Sequence, residues 1–150
     1  MKKLTTTALV ALTIGLFTLT QSASAASDCK KVKANLSGGG GFGTITQGGK
    51  LNGTTQAVFT SMFTPTPDLT TFSFTDDLTV TTYHHGVLKT HNVAIFDVAR
   101  GVFSAIDRID PNASTGDFAG ATGVLYINGR TPDGGATIQA EITGEICFVD

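Results

Sequence analysis

The sequence predicts an all-β domain, an antiparallel closed β-barrel of about eight strands. Three observations carry that expectation. Thr, Val, Ile and Phe dominate a series of short runs broken by Gly, Pro and Asx-rich turns, which is the composition of half-buried strands. No stretch shows the periodicity of an amphipathic helix. A small domain with this many strands in sequential hairpins must also protect its sheet edges, and closure into a barrel is the fullest way to do so.

Taken in order, the chain opens with a basic Met1-Lys2-Lys3, an uncharged Leu/Ala/Val/Thr-rich stretch over Leu4–Thr20, and small residues in Gln21–Ala25. That is the pattern of a signal peptide over 1–25 cleaved between Ala25 and Ala26. The apolar run is shorter and less hydrophobic than the ~20 residues a membrane-spanning helix needs. Asp28, just before Cys29, does not fit a lipoprotein site. Residues 26–150 are therefore expected to form one β-barrel domain, secreted or periplasmic, with no membrane attachment after signal removal.

In this domain Lys30–Leu36 reads as a strand. The glycine tract Ser37–Gly43 follows, either a mobile loop or a barrel corner. No helix start or Lys-Ser/Thr follows that tract, which disfavours a phosphate cradle. Thr55–Thr64 is the next strand, ended by Pro65-Thr66-Pro67-Asp68. Leu69–Phe74, Leu78–Tyr83, Val87–Ala99 and Val102–Ile109 come next, and Asp110-Pro111-Asn112 turns the chain. Gly123–Asn128 and Ala136–Val149 complete the set around a turn at Pro132–Gly135. The last strand alternates cleanly: Ile138, Ala140, Ile142, Ile146 and Phe148 on one face, Gln139, Glu141, Thr143, Glu145 and Cys147 on the other. Glu141 and Glu145 are thus expected in solvent rather than in a catalytic role.

Cys29 and Cys147 are the only cysteines. In an oxidising compartment the two are expected to pair, closing nearly the whole domain into one loop. Neither has a second Cys or a His at metal-ligand spacing. The net charge of −2 becomes −4 once Lys2 and Lys3 are removed, and no basic run is present, so nucleic acid is not an expected partner.

Two tight turns are predicted at His85-Gly86 and Arg100-Gly101. They would set Val80 opposite His91, and Val93 opposite Arg108. One face then carries Thr82, His84, Lys89, His91, Asp97, Ser104 and Arg108 among Val80, Val87, Val93, Ile95 and Ile106. The other carries Leu88, Ala94, Phe96, Val98, Phe103, Ala105 and Ile109, with Asn92 and Asp107 as its polar members. Apolar residues on both sides imply cover on both, by a lumen on one and by an oligomer interface (a dimer or trimer) or a second layer on the other.

Thr115-Gly116-Asp117-Phe118-Ala119-Gly120-Ala121-Thr122-Gly123, between hairpins and a closing strand, resembles the TG-x-F-x-x-A-x-G segment of the dirigent and allene-oxide-cyclase-like barrels. The resemblance extends loosely over residues 86–149. It implies a calycin-like eight-stranded barrel, often trimeric, whose apolar lumen takes a lipid-like or phenolic molecule, in some members for a cofactor-free cyclisation or coupling. The chain departs from the plant patterns in having Ala113-Ser114 before the motif, and their catalytic acids find no match here.

Among chemistries, no GxSxG elbow supports a serine nucleophile. His84, His85 and His91 are too dispersed for shared metal ligation, since ~3.3 Å per strand residue puts His91 on the order of 13 Å beyond the turn. Asp107, Asp110, Asn112 and Asp117 lack EF-hand spacing. No cofactor or metal is expected. What remains is a lumen with a few polar groups. His91, Asp97 and Arg108 are the candidate catalytic set, a His–Asp proton carrier with an Arg to stabilise an anion. Val93, Ile95, Ile106 and Tyr126 are the candidate ligand contacts. Two functions stay open: a lumen binder or cofactor-free cyclase or isomerase acting on a small apolar molecule, and a non-catalytic extracellular interaction domain.

Overall fold

The computed structural model describes residues 28–63 and 70–149. The expected signal peptide, its cleavage site and the Pro65–Asp68 turn lie outside the described residues. Eight strands follow one another: β1 (Asp28–Gly39), β2 (Phe42–Thr46), β3 (Gly53–Phe63), β4 (Thr71–Thr82), β5 (Val87–Asp97), β6 (Val102–Ile109), β7 (Thr122–Arg130) and β8 (Ile138–Phe148). Each pairs antiparallel with its neighbour in sequence, and β8 returns to pair with β1, closing the barrel. No described helix is long and apolar enough to cross a membrane.

The glycine tract is a barrel corner. It ends β1, turns at Gly40-Gly41, both at positive φ, and starts β2, a strand too short and glycine-rich to stand out in the sequence. Thr71–Thr82 is one strand rather than two. Thr75-Asp76-Asp77 resembles a turn, yet it pairs without a break against Val93-Asn92-His91.

Both predicted tight turns are longer, and the register changes with them. Thr81 pairs with Val87, so Val80 faces Leu88 and His91 faces Asp77. The cause is the Thr82 hydroxyl, which donates to Gly86 O (2.8 Å) and accepts from His85 N (3.0 Å), closing a five-residue loop between Thr81 and Val87. At the next hairpin Asp97 pairs with Val102. There the Asp97 carboxylate takes both Arg100 N (2.9 Å) and the Arg100 guanidinium (2.6 Å), holding four residues in the loop. His91 therefore faces Arg108, and Val93 faces Ile106. The first change is an odd number of residues, which puts Val80 and Thr82 on the opposite face from His91.

Alternating residues fill the interior: Leu78 and Val80, Leu88 and Ala94, Ala105 and Ile109, Leu125 and Ile127, Ile142 and Ile146. The β8 alternation is as expected, with Ile142 and Ile146 inside. Outside, Glu141 and Glu145 pair with Lys33 and Lys31 at 3.3 and 2.9 Å. Cys29 and Cys147 face each other across β1 and β8 and are joined by a disulfide.

One barrel end is closed by two short 3₁₀ turns, Gly49–Leu51 and Gly116–Phe118, which push Leu51 and Phe118 into the interior. The Thr115–Gly123 segment does this work. Phe118 and Ala121 are both fully buried. A Cβ on Gly86 would lie 2.4 Å from Thr115 O, and one on Gly116 2.6 Å from His85 O, so this close crossing of two loops admits only glycine at both positions.

Candidate functional site

The other end of the barrel opens into a cavity of about 340 Å³. Its volume follows from a row of residues across the inner wall. Phe74, Ala94, Ala105 and Ile127 stand opposite one another on β4 to β7, and the two alanines leave the middle of the row thin. Aromatic side chains surround the space: Phe72 packs edge-on against Phe96 (5.2 Å between centroids), and Phe59 lies tilted against Phe74 (5.2 Å). A β-bulge between Phe59 and Ser61 re-aims the end of β3 at the mouth. The lining is almost wholly apolar, and Asp76 is its sole ionisable member among the described residues.

Asp76, Asn92 and Asp107 are direct neighbours on β4, β5 and β6, a polar row on the inner face. Asp76 and Asn92 line the cavity, and Asp107 is fully buried beside them. Asn92 Nδ2 donates to Asp76 Oδ2 at 3.1 Å, and Thr90 Oγ1 donates to Asp107 Oδ1 at 2.6 Å. Among the described residues three buried side-chain oxygens have no hydrogen-bond partner: Asp76 Oδ1, Asn92 Oδ1 and Asp107 Oδ2. Leaving such an acceptor unsatisfied costs about 1–3 kcal/mol, more for a charged group, so their persistence asks for an explanation. Burial pushes the Asp76 carboxyl up to about 6, the Asn92 hydrogen bond partly opposing it and the Asp77 charge adding to it. Burial likewise lifts Asp107 to about 7, against the Thr90 hydrogen bond and with the Asp76 charge. Groups of this kind in a cleft mark functional sites more often than chance.

The residues expected to line the lumen lie outside it. His91 is exposed, its Nδ1 2.7 Å from Asp77 Oδ1 and its Nε2 3.4 Å from Asp110 Oδ2. These partners raise its pKa, the Asp77 hydrogen bond most. Arg108 stands opposite His91 on the same outer face, but Asp97 is bound to Arg100 at the far end of β5. The three are therefore neither in the lumen nor in one group. Val93, Ile95, Ile106 and Tyr126 also point outward, each 45–58% exposed. The cause is one of facing: the Leu88–Ile109 set, assigned above to the covered outer side, is the one that lines the interior.

His85 joins Asp117 (2.9 Å), which also takes Lys50 Nζ at 2.7 Å, so this histidine fastens loops at the closed end. Asp110 Oδ1 accepts from Asn112 N (2.8 Å) and Ala113 N (3.3 Å), and protein donors thus occupy the oxygen-rich loop. No group of three or more His, Cys, Asp or Glu among the described residues is placed to hold a metal ion.

Sequence reasoning passed over Asp76 and left Asn92 and Asp107 as minor members of a face. The signal that would have found them is a polar residue breaking an inward apolar alternation: Phe74-x-Asp76-x-Leu78, Thr90-x-Asn92-x-Ala94 and Ala105-x-Asp107-x-Ile109. Compared with protein-family models, curated proteins and solved structures, the chain finds no match in any of the three.

Proposed function

We propose that the protein acts outside the cytoplasm as a binder of a small apolar molecule, taken into the lumen through the open end of the barrel. The observation that carries this reading is the cavity: about 340 Å³, walled by aromatic and aliphatic side chains, with a few convergent polar groups. Small-molecule sites have this make-up and are of this size, roughly 300–1,000 Å³. The terminal disulfide fits an oxidising compartment. The likeness of Thr115–Gly123 to dirigent and allene-oxide-cyclase-like barrels supports the same reading. If a proton is moved in the lumen, Asp76 is the group in position to move it, and a cyclase or isomerase activity would run through that carboxyl.

Uptake of an apolar fluorescent probe tests this directly. The folded protein should bind it saturably, and Ala94→Phe, which fills the thin part of the wall, should abolish uptake at a stability cost of about 1–3 kcal/mol. Equal uptake by that variant places the probe elsewhere and ends the lumen reading. The interaction-domain reading has its own support in the outward row Val93, Ile106 and Tyr126 with Ile95 beside it. Concentration-dependent sedimentation that Ile106→Glu suppresses would favour it.

A further inference from the structure

The polar row beside the cavity is unusual in what it lacks. Among the described residues the buried oxygens left without a partner belong to Asp76, Asn92 and Asp107, and the described lining offers no Lys, Arg or His to answer them. Asp76 is only 4% exposed and Asn92 8%. A buried carboxylate without a counter-charge is costly, and an apolar ligand alone would leave that cost in place. A carboxylate ligand would add like charge. A neutral alcohol would bring a single donor and no charge.

Taking the lumen-binding reading as its basis, we infer that the ligand is a primary organic amine bound as its ammonium ion, its head on Asp76 Oδ1 and Asn92 Oδ1 and its apolar body among Phe72, Phe74 and Phe96. An ammonium presents three N–H donors and one positive charge, so it can satisfy both acceptors and neutralise Asp76 together. Burial raises the carboxyls of both Asp76 and Asp107, and a cation beside Asp76 offsets what burial costs its ionised form. The aromatic walls add a second preference for a cation entering from the mouth, because their ring faces are electron-rich.

The test is a calorimetric series on the wild-type protein near neutral pH with 2-phenylethylamine, 2-phenylethanol, 3-phenylpropanoate and the N,N,N-trimethylated amine. The primary amine should bind at least about tenfold more tightly than the alcohol, as expected for a charge-assisted hydrogen bond. The propanoate should bind more weakly than either, and the trimethylated amine, which keeps the charge but has no N–H, should lose most of the advantage. Asp76→Asn should bring the primary amine down to the level of the alcohol. Alcohol binding equal to or tighter than amine binding in the wild type overturns the inference, as does an advantage that survives Asp76→Asn in a folded variant. Should that variant not fold, the trimethylated amine decides: equal affinity for both amines removes the two acceptors from the argument. Saturable uptake of the apolar probe with no amine preference sinks the amine alone. Absence of binding by the probe and by all four compounds sinks the lumen reading with it.

Discussion

The two ends of this barrel are built on opposite plans. At the closed end the Cys29–Cys147 disulfide ties the first strand to the last, Phe118 and Leu51 fill the interior, and Asp117 gathers Lys50 and His85 over them. At the open end the interior is left hollow, large apolar side chains such as Phe59, Met62 and Phe63 remain more than half exposed, and the polar row beneath keeps one unpartnered oxygen on each of its members. Folding alone would favour treating both ends alike. Concentrating cross-links and packing at one end allows the other to keep an unfilled, electrostatically unfavourable cavity, the usual division between a rigid scaffold and a site that gives up stability for function.

Breaking the closed end should therefore do the most damage. Replacing both cysteines by Ser releases a loop spanning 118 residues, for which chain entropy predicts a loss of about 4–5 kcal/mol, measured as unfolding free energy in urea. The cavity lies at the far end, so variant protein that is still folded should take up the apolar probe as before. Lost uptake without lost stability would mean that the two ends are coupled.

The packing contrast can be measured with one residue type at both ends. Phe118 is fully buried, and Phe118→Ala should cost about 3–5 kcal/mol. Phe72 lines the cavity, with Phe96 and Phe74 as ring partners on one side and the hollow on the other, so Phe72→Ala should cost less than Phe118→Ala, about 1–2 kcal/mol, and enlarge the site. Equal costs would show that the open end is packed as tightly as the closed one.

How much of this could be read in the sequence depended on the element. β6 was predicted at Val102–Ile109, the same bounds it has in the structure, and the β8 alternation was legible because apolar residues recur at every second position with Gly144 as the one interruption. β2 was hidden because Phe42–Thr46 sits in a run of glycines. Turn length was the larger obstacle. Thr82 and Asp97 each use a side chain to hold a loop longer than two residues, and nothing in the local hydrophobic pattern reveals that. The lumen was then assigned to the wrong face, and His91, Asp97 and Arg108 went with it. Asp76 was lost for a different reason: Asp76-Asp77 looks like a turn and split β4 in two. The residue that breaks the strand pattern is the one that lines the cavity, and such local inconsistencies gather at functional sites.

The buried carboxyls of the polar row should also impose a pH dependence. With its folded pKa raised to about 7, Asp107 binds a proton in the folded protein that the unfolded chain, near 3.8, has already released. Its stabilising contribution is thus complete below the unfolded value and is lost as pH rises through the folded one. Asp76, raised to about 6, acts in the same direction over a narrower window. Stability should fall between pH 5 and pH 8, and Asp107→Asn should flatten that fall, gaining on the order of 2–3 kcal/mol at pH 8. A wild-type profile that is flat or rising over this range would show that the row is solvated.

The smallest effect is expected on the outer wall. Lys31 lies directly opposite Glu145 across β1 and β8, with the ammonium 2.9 Å from the carboxylate, yet both side chains are largely in water, at 87% and 46% exposure. Water weakens the attraction, salt screens it, and holding two long side chains together costs rotamer entropy, so an exposed pair of this kind contributes about 0–1 kcal/mol. Glu145→Gln should change the unfolding free energy by less than about 0.5 kcal/mol, and adding about 1 M salt should erase even that. Probe uptake should not change, because Glu145 points away from the lumen on the same alternation that sends Ile142 and Ile146 into it. A loss above about 1 kcal/mol would mean that the pair fixes the register between β1 and β8 where the barrel closes, since cross-strand charge pairs can hold register as well as add stability. Closure would then rest on this wall as well as on the disulfide, and the division of the molecule into a rigid end and a hollow one would have to be redrawn.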